Sequence, residues 1–233
     1  MPETSDVILS PAELARFIDH TLLKPEATAK DIERLCAEAR EHRFHCVCIN
    51  GCRVELARHL LDGSNVKVAT VVGFPLGAAD TDAKRYETET AIDQGAEEID
   101  MVMNVGRFKD GDHRYVVREL RDVVEAAEER SVKVILETCL LTNDELAQAC
   151  QLALEAEVHF VKTSTGFNKA GATVEQVRLM RETVGHNCGV KAAGGIRDTA
   201  AALAMIRAGA SRLGTSASVA IVKALVGGGT GAY

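Results

Sequence analysis

The feature that most constrains the fold is an alternation of short apolar runs with longer amphipathic segments. Runs of four to seven residues, rich in β-branched side chains, are each followed by a segment of ten to twenty residues with helical character. This alternation is typical of repeated strand–helix units and of a parallel sheet. Eight units are present, with predicted strands at residues 17–20, 45–49, 67–72, 98–103, 133–138, 159–163, 189–192 and 212–213.

Local signals mark several helix ends. Ser10, followed by proline, predicts the start of a short N-terminal helix, and Thr142 with Glu145 three residues later predicts a capped start of another. Gly95 and Gly209 stand shortly before predicted strands, where a left-handed residue commonly ends a helix. These signals agree with the helix–strand order that the apolar runs predict.

The number of units and the chain length together predict the fold class. Eight units in 233 residues, without an internal linker, favour an α/β protein that is a single (β/α)8 TIM barrel over an open doubly wound sheet. One domain over residues 1–233 is expected, because barrels of this kind reach about 200 to 250 residues.

Composition argues against several classes of protein. No apolar run approaches the roughly 18 residues that a membrane-spanning helix needs, and the polar, acidic N-terminus lacks the features of a secretory signal. Seven scattered cysteines, an odd number, favour reduced thiols over a disulfide framework. We therefore expect a cytoplasmic protein that does not insert into a membrane.

Charge and aromatic content argue against a nucleic-acid partner. The net charge is −7, no long basic block occurs, and the aromatic residues are limited to six phenylalanines and three tyrosines. A small anionic ligand would need a local positive site on this acidic chain.

Polar side chains at the strand ends are the candidates for chemistry, because barrel enzymes build their sites at the carboxyl ends of the strands. Such residues stand in or at the ends of five predicted strands: Asp19, His20, Thr21, Asp100, Glu137, Lys162 and Lys191. An unpaired buried charge costs several kcal/mol, so charged groups inside apolar strands must pair with each other or take part in a reaction.

Two lysines on neighbouring strands suggest an amine nucleophile. Like charges close together penalise protonation, and a neutral amine can form a carbinolamine and then a Schiff base with a carbonyl substrate. Lys162 and Lys191 therefore suggest one reacting amine and one ammonium that tunes it, with Asp100 moving protons and holding Lys191 charged. A purely structural ion pair is the alternative reading for either lysine alone.

Glycine-rich segments end the last two units. Gly194 and Gly195 follow the seventh predicted strand, and Gly214 follows the eighth, each ahead of a helix. Loops at these positions commonly bind phosphate through backbone N–H groups and the helix dipole. A phosphorylated ligand is therefore predicted, although a Gly-Gly pair by itself more often marks a tight turn.

Several long motifs, in order along nearly the whole chain, carry a family resemblance. They are FIDHTLLKP at 17–25, VVGFPLG at 71–77, EIDMV at 98–102, KVILET at 133–138, VKTSTGF at 161–167 and VKAAGGI at 190–196. Through them the sequence resembles deoxyribose-phosphate aldolases of the bacterial type. The resemblance implies a class I lyase that reversibly cleaves 2-deoxy-D-ribose 5-phosphate to acetaldehyde and D-glyceraldehyde 3-phosphate, in deoxyribonucleotide catabolism.

The resemblance also implies roles for individual residues. Lys162 is implied as the Schiff-base lysine, Lys191 as the second essential lysine and Asp100 as the proton donor and acceptor. The implied substrate contacts are Asp19, Thr21 and Thr165 near the reacting end, and Gly166, Gly194, Gly195, Gly214 and Ser216 at the phosphate. Ala217 stands where some relatives have a second serine, so one hydroxyl contact to the phosphate is in doubt.

The expected cofactor is none, no metal is expected, and the expected assembly is a homo-oligomer, a dimer or larger. Rival functions are a phosphate-binding isomerase or synthase, a catalytically silent sugar-phosphate sensor, and a metal-dependent aldolase, which calls for clustered histidines. The sequence leaves open the roles of Glu137 and Lys169, the reactivity of Cys48, and whether the terminal Tyr233 reaches the site.

Overall fold

Each of the eight apolar runs forms a strand, and consecutive strands pair in parallel until the eighth pairs with the first. The molecule is represented by a computed structural model that describes residues 9–227. The strands are β1 (Ile18–Leu22), β2 (Cys46–Ile49), β3 (Lys67–Val72), β4 (Glu98–Val102), β5 (Ser131–Ile135), β6 (Phe160–Lys162), β7 (Gly189–Ala193) and β8 (Arg212–Thr215). The predicted (β/α)8 barrel is confirmed.

Helices surround the barrel and cover the outer face of the sheet. They are α1 (Pro11–Ala15), α2 (Ala29–His42), α3 (Val54–Leu60), α4 (Thr81–Asp93), α5 (Val105–Lys109), α6 (His113–Ala126), α7 (Asn143–Glu155), α8 (Val174–Val184), α9 (Thr199–Arg207) and α10 (Ser218–Gly227). Short 3₁₀ turns occupy Gly51–Arg53 and Thr138–Leu140. Within residues 9–227, no helix combines the length and the apolar composition that crossing a bilayer requires.

The predicted helix ends agree with the structure. Ser10 and Thr142 each accept a hydrogen bond from the backbone N–H three residues later, and the carboxylates of Glu13 and Glu145 accept one from the backbone N–H of the cap residue. Gly95 has φ of 101° and Gly209 has φ of 110°, so both adopt the left-handed backbone that a side chain disfavours.

Most strand boundaries differ by one to three residues from the sequence-based prediction, and two of the differences have a clear local cause. Glu137 has φ of 55°, so the chain leaves the sheet after Ile135 instead of continuing to residue 138. Strand β8 runs two residues beyond the predicted 212–213, because Gly214 and Thr215 pair with β1 and close the barrel. In the sequence Gly214 suggested a loop, whereas in the structure it is a strand residue paired with Asp19.

The interior of the barrel is divided in composition. On the side of β2 and β3 it is apolar, with Cys46, Cys48, Ala69 and Val71 packed under Leu23. On β1 and β4 to β8 it is charged, with these buried side chains: Asp19, Glu98, Asp100, Lys133, Lys162, Lys191 and Arg212. A second, larger apolar core lies between the sheet and the helices. Charge is therefore concentrated in one part of the barrel interior.

A buried ion pair outside the barrel holds the loop after β3. Lys84 of α4 and Glu119 of α6 are both inaccessible to solvent, and their Nζ and Oε1 atoms are 2.7 Å apart. Lys84 also donates to the carbonyl oxygens of Gly77 and Val102, both at 2.8 Å. Burial lowers the pKa of Lys84 and raises that of Glu119, each against the attraction of its partner.

We expect Lys84→Met to destabilise the protein by about 3–5 kcal/mol, because it leaves the Glu119 carboxylate buried without its cation. Adding Glu119→Leu removes that unpaired charge, so the double variant should be at least about 1 kcal/mol more stable than the sum of the single effects indicates. Urea unfolding measures all three variants. The half-exposed pair Lys109–Glu145, 2.6 Å apart, is the matched control and should show a coupling below about 1 kcal/mol. Equal coupling energies in the two pairs would contradict the expectation.

Candidate active site

Asp100, in the middle of β4, receives three ammonium groups inside the barrel. Lys133 donates to Oδ1 at 2.9 Å, and Lys162 and Lys191 both donate to Oδ2 at 2.7 Å. Strand register explains the meeting, since Asp100 pairs with Lys133 on β5 while Lys162 pairs with Lys191 across β6 and β7. The structure thus brings together the three residues predicted to carry the chemistry. It adds Lys133, which the sequence analysis did not single out.

Asp100, Lys133 and Lys191 are held in their charged forms. Burial alone raises the pKa of Asp100, but the charges of Lys133, Lys162 and Lys191 outweigh it and hold that pKa well below its usual value. For Lys191, burial favours the neutral amine, yet Asp100 and Asp19 raise its pKa well above normal. The pKa of Lys133 is raised in the same way, because Asp100 and Glu98 outweigh the effect of burial.

Lys162 differs from the other two lysines because it lines a cavity. The cavity, about 280 Å³ in volume, opens at the carboxyl ends of the strands. Lys162 is 3% exposed, whereas Lys191 and Lys133 are fully buried beneath it. Predicted site residues that line the cavity are Thr21, Lys162, Thr165, Gly166, Gly194, Gly195, Gly214 and Ser216. An aldehyde entering the cavity would therefore meet the amine of Lys162 first.

Asp19 lies beneath the cavity and does not line its wall. Its Oδ2 accepts a hydrogen bond from Lys191, and its Oδ1 accepts one from Arg212 at 3.0 Å. Burial raises the pKa of Asp19, but the charges of Lys191 and Arg212 lower it below its usual value overall. The implied contact of Asp19 with substrate hydroxyls therefore has no support in this arrangement, since both carboxylate oxygens are occupied by cations. Thr21, by contrast, is on the wall and donates to the backbone oxygen of Asp19 at 3.0 Å.

One group of potential metal ligands lies close together in the part of the chain that the structure describes. It consists of Asp19, Cys46 and Glu98, all buried. The two carboxylates already contact the cationic groups of Lys191, Lys133 and Arg212. A metal ion there would lie among three positive charges, so the donor set does not fit a resident cation.

The glycine loops give the cavity a floor without side chains. Gly194 and Gly195 have φ of 88° and 79°, and a Cβ on Gly194 would lie 2.9 Å from the Cα of Gly171. A Cβ on Gly214 would lie 3.1 Å from Cε of Lys191. Exposed backbone N–H groups in such loops can bind an anion, and α10 begins just beyond them at residue 218. Gly214 also leaves the space that Lys191 occupies.

Glu137 fixes the loop that follows Lys162. Its carboxylate accepts the hydroxyl of Thr165 at 2.5 Å and the backbone N–H of Thr165 at 3.3 Å. The Thr165 hydroxyl oxygen in turn accepts the N–H of Phe167 at 3.1 Å. A non-glycine residue at positive φ, buried and with both oxygens in use, is typical of a functional constraint. The sequence left the role of Glu137 open, and in the structure its partner is Thr165.

Two cations at the cavity rim were missed by the sequence analysis as site residues. Lys24, in the loop after β1, and Arg197, in the loop after β7, are exposed and line the same cavity as the glycine loops. Lys24 lies within the motif at 17–25, and Arg197 follows the Gly-Gly pair by two positions. Arg197 could have been identified from its place beside the predicted phosphate loop, and Lys24 from its place in the motif that ends the first predicted strand. They supply the local positive charge that an anionic ligand needs on an acidic protein.

Four further residues named in the sequence analysis lie in different surroundings or outside the described residues. His20 is buried with its Nε2 2.8 Å from Glu38 and its Nδ1 2.9 Å from Ser218, so both ring nitrogens have side-chain partners. Burial raises the pKa of the Cys48 thiol inside the barrel. Lys169 is exposed in the loop after β6. Tyr233 lies outside the described residues.

Comparison with known proteins identifies the family. Residues 14–227 match the model of the DeoC/LacD family aldolases. The chain belongs to this aldolase family. It is 57% identical to a deoxyribose-phosphate aldolase of Alkaliphilus oremlandii over 210 residues, which cover 90% of this chain and 95% of that protein. It is 55% identical to one of Clostridium perfringens, over 94% of this chain and 98% of that protein.

Solved structures agree with this family membership. A deoxyribose phosphate aldolase from Aeropyrum pernix superposes with a TM-score of 0.88 at 34% identity, over 93% of this chain and 92% of that one. The resemblance stated from the motifs is therefore confirmed, and the aldolase is a lyase by reaction type.

Three barrel carboxylates should dominate the acid stability of this aldolase. Asp19, Glu98 and Asp100 all have pKa values below normal, because neighbouring cations outweigh the effect of burial. Depressed values mean that the unfolded chain takes up protons first, so the stabilisation is present above about pH 4 and is lost as the pH falls further. We expect the melting temperature to be nearly constant near neutrality and to fall steeply below about pH 4.

Asp100→Asn should lower the melting temperature at pH 7, and its deficit relative to wild type should shrink as the pH falls through the acid range. Thermal melts from pH 3 to 8 provide the measurement. Asp93→Asn, at an exposed position at the end of α4, is the control and should follow the wild-type curve. A deficit for Asp100→Asn that stays constant at every pH would contradict the assignment.

Proposed function

We propose that this chain is a class I aldolase that reversibly cleaves 2-deoxy-D-ribose 5-phosphate to D-glyceraldehyde 3-phosphate and acetaldehyde through an imine at Lys162. The observation that carries the proposal is the position of Lys162 on the cavity wall. Its amine lies 2.7 Å from a carboxylate that it shares with Lys191, and the glycine loops line the same cavity. Names of relatives in the family support the same substrate.

The reaction begins with attack of the neutral Lys162 amine on C1 of the open-chain sugar phosphate. The carbinolamine loses water, and the resulting iminium withdraws electrons from C2. Removal of the proton from the C3 hydroxyl makes the C3 oxygen an aldehyde, and the C2–C3 bond breaks, leaving its electron pair in an enamine. D-glyceraldehyde 3-phosphate leaves. Protonation of the enamine at C2 and hydrolysis of the imine then release acetaldehyde and regenerate the lysine.

Asp100 connects the proton steps of this cycle. One oxygen, Oδ2, accepts from both Lys162 and Lys191, so a proton released by one amine has a short path to the other. The low pKa of Asp100 means that the carboxylate does not store the proton itself. Its proposed part is to keep Lys191 charged and to relay protons between the amines and water in the cavity.

The phosphate end of the substrate is assigned to the glycine loops and the rim. Backbone N–H groups near Gly166, Gly194 and Gly195, with the hydroxyl of Ser216, would bind the phosphate oxygens. Lys24 and Arg197 add charge at the cavity rim. The proposed setting is deoxyribonucleotide catabolism in the cytoplasm. Seven unpaired thiols fit a reducing compartment, and the A. pernix relative is described as tetrameric, in line with a homo-oligomer, a dimer or larger.

Reductive trapping tests the central step. Incubation with acetaldehyde and borohydride should leave an ethyl adduct on the peptide that contains Lys162, mapped by mass spectrometry. Lys162→Met should abolish the adduct and lower the rate of cleavage by about 10³-fold or more, since the nucleophile is gone. Lys24→Met, at the rim of the same cavity, is the matched control and should keep the adduct. An adduct on another lysine, or none in the wild type, would falsify the proposal.

Glu137→Gln tests the phosphate assignment. The carboxamide cannot accept both hydrogen bonds of Thr165, so the loop around Gly166 loses its fixed geometry. We expect KM for 2-deoxy-D-ribose 5-phosphate to rise by about tenfold, while turnover of unphosphorylated 2-deoxyribose changes little. Glu128→Gln is the control, because Glu128 is also a glutamate at positive φ but is exposed. Equal losses of activity on the two sugars would show that Glu137 does not act through phosphate binding.

A further inference from the structure

The charged side chains inside the barrel form a closed ring. Starting from Asp100, the contacts run to Lys133 at 2.9 Å, from Lys133 to Glu98 at 2.7 Å, and from Glu98 to Arg212 at 3.1 Å. They continue from Arg212 to Asp19 at 3.0 Å, from Asp19 to Lys191, and back to Asp100 at 2.7 Å. Three carboxylates alternate with three cations, so the ring is neutral and each member contacts two neighbours of opposite charge.

Lys162 is attached to this ring but is not part of it. Its only partner among the ring members is Asp100, and its ammonium shares Oδ2 with Lys191. When Lys162 is charged, the buried cluster carries four cations against three carboxylates. Loss of its proton leaves the ring complete and neutral, whereas loss of a proton from Lys133 or Lys191 would leave a carboxylate without a cation on one side. Of the three lysines that contact Asp100, charge balance therefore favours loss of a proton from Lys162.

We propose that Glu98 and Arg212 are positioning residues that set the protonation of Lys162 through the charge balance of this ring. Neither residue lines the cavity. Each is the first residue of its strand, so both lie at the end of the barrel opposite to the cavity. The inference rests on the proposed function, because it concerns the reactivity of Lys162 as the nucleophile. Because the cluster is buried, charges within it are weakly screened, so a change at one end affects the other.

Other titratable groups that face the cluster come from every neighbouring strand. They are Cys46 and Cys48 on β2, His45 before β2, and Lys67 at the start of β3, besides the ring members and Lys162. Burial raises the pKa of both thiols, which keeps them neutral near pH 7. His45 and Lys67 contact Glu98 Oε1 at 3.1 Å and 3.6 Å, but both side chains reach solvent, which screens charge at these positions. The raised pKa values of Lys133 and Lys191 agree with their staying charged.

The two substitutions are expected to act in opposite directions. Arg212→Gln leaves the ring with one excess negative charge, so Lys162 holds its proton to higher pH. Glu98→Gln leaves one excess positive charge, so Lys162 loses its proton at lower pH. Two charges roughly 10 Å apart in a medium of effective dielectric constant about 20 interact strongly enough to shift a pH midpoint by about one unit. At a fixed pH below the midpoint, that shift changes the fraction of neutral, reactive amine by about tenfold.

The experiment measures the initial rate of acetaldehyde trapping at Lys162 with cyanoborohydride, from pH 5 to 9, in the full-length protein. We expect the pH midpoint to move up by about one unit in Arg212→Gln and down by about one unit in Glu98→Gln. The double variant restores a neutral ring and should return within about 0.3 units of the wild type. Lys67→Gln, which removes the half-exposed cation near Glu98, is the control and should leave the midpoint unmoved.

The alternatives give different results. A merely structural role would lower the trapping rate at every pH without moving the midpoint, and shifts of the same sign in the two single variants would overturn the inference. If Arg212→Gln does not fold, Glu98→Gln decides alone, because the amide keeps the size of the carboxylate, and a midpoint that stays or rises would overturn it. Failure of the wild type to form an adduct at Lys162 would instead contradict the proposed function itself.

Discussion

Three ammonium groups converging on the carboxylate of Asp100 are the interaction on which the rest of the site depends. An isolated buried ion is costly, and a buried pair is stabilising only when its geometry and remaining hydrogen bonds are good. Here Lys133 occupies one oxygen of Asp100 while Lys162 and Lys191 share the other. This sharing places two amines close to one acceptor, which is the geometry that a proton transfer between them requires.

The barrel fold makes this convergence possible. Parallel strands bring residues that are far apart in sequence into register, so Asp100 faces Lys133 and Lys162 faces Lys191 from adjacent strands. The cavity is lined from the ends of β1, β6, β7 and β8 and the loops that follow them, while the charged half of the interior holds the amines in fixed positions. The helices outside supply most of the apolar burial, so the interior can carry polar groups that a smaller core could not support.

Much of this was predictable from the sequence, and the exceptions have physical reasons. The period of the apolar runs predicted the strands, and charges within them indicated Asp100, Lys162 and Lys191. Lys133 and Glu98 stood at the starts of predicted strands, where a charged residue usually reaches solvent, so their burial was not foreseen. The available signal was that alternate residues of a strand face the same side, so each of these residues shares a face with the residue two positions further along its strand. The contact between Glu98 and Arg212 joins residues 114 positions apart and depends on barrel closure, which the pattern of a single strand cannot show.

The difference in exposure between the rim and the barrel interior has a consequence for salt. Lys24 and Arg197 lie in the solvent-exposed mouth, where dissolved ions shorten the range of their attraction to about 8–10 Å at physiological ionic strength. The ring around Asp100 is out of reach of those ions. Rising ionic strength therefore weakens the capture of an anionic substrate while leaving the bond-making steps at Lys162 almost unaffected, so the two stages of turnover respond separately to the same medium.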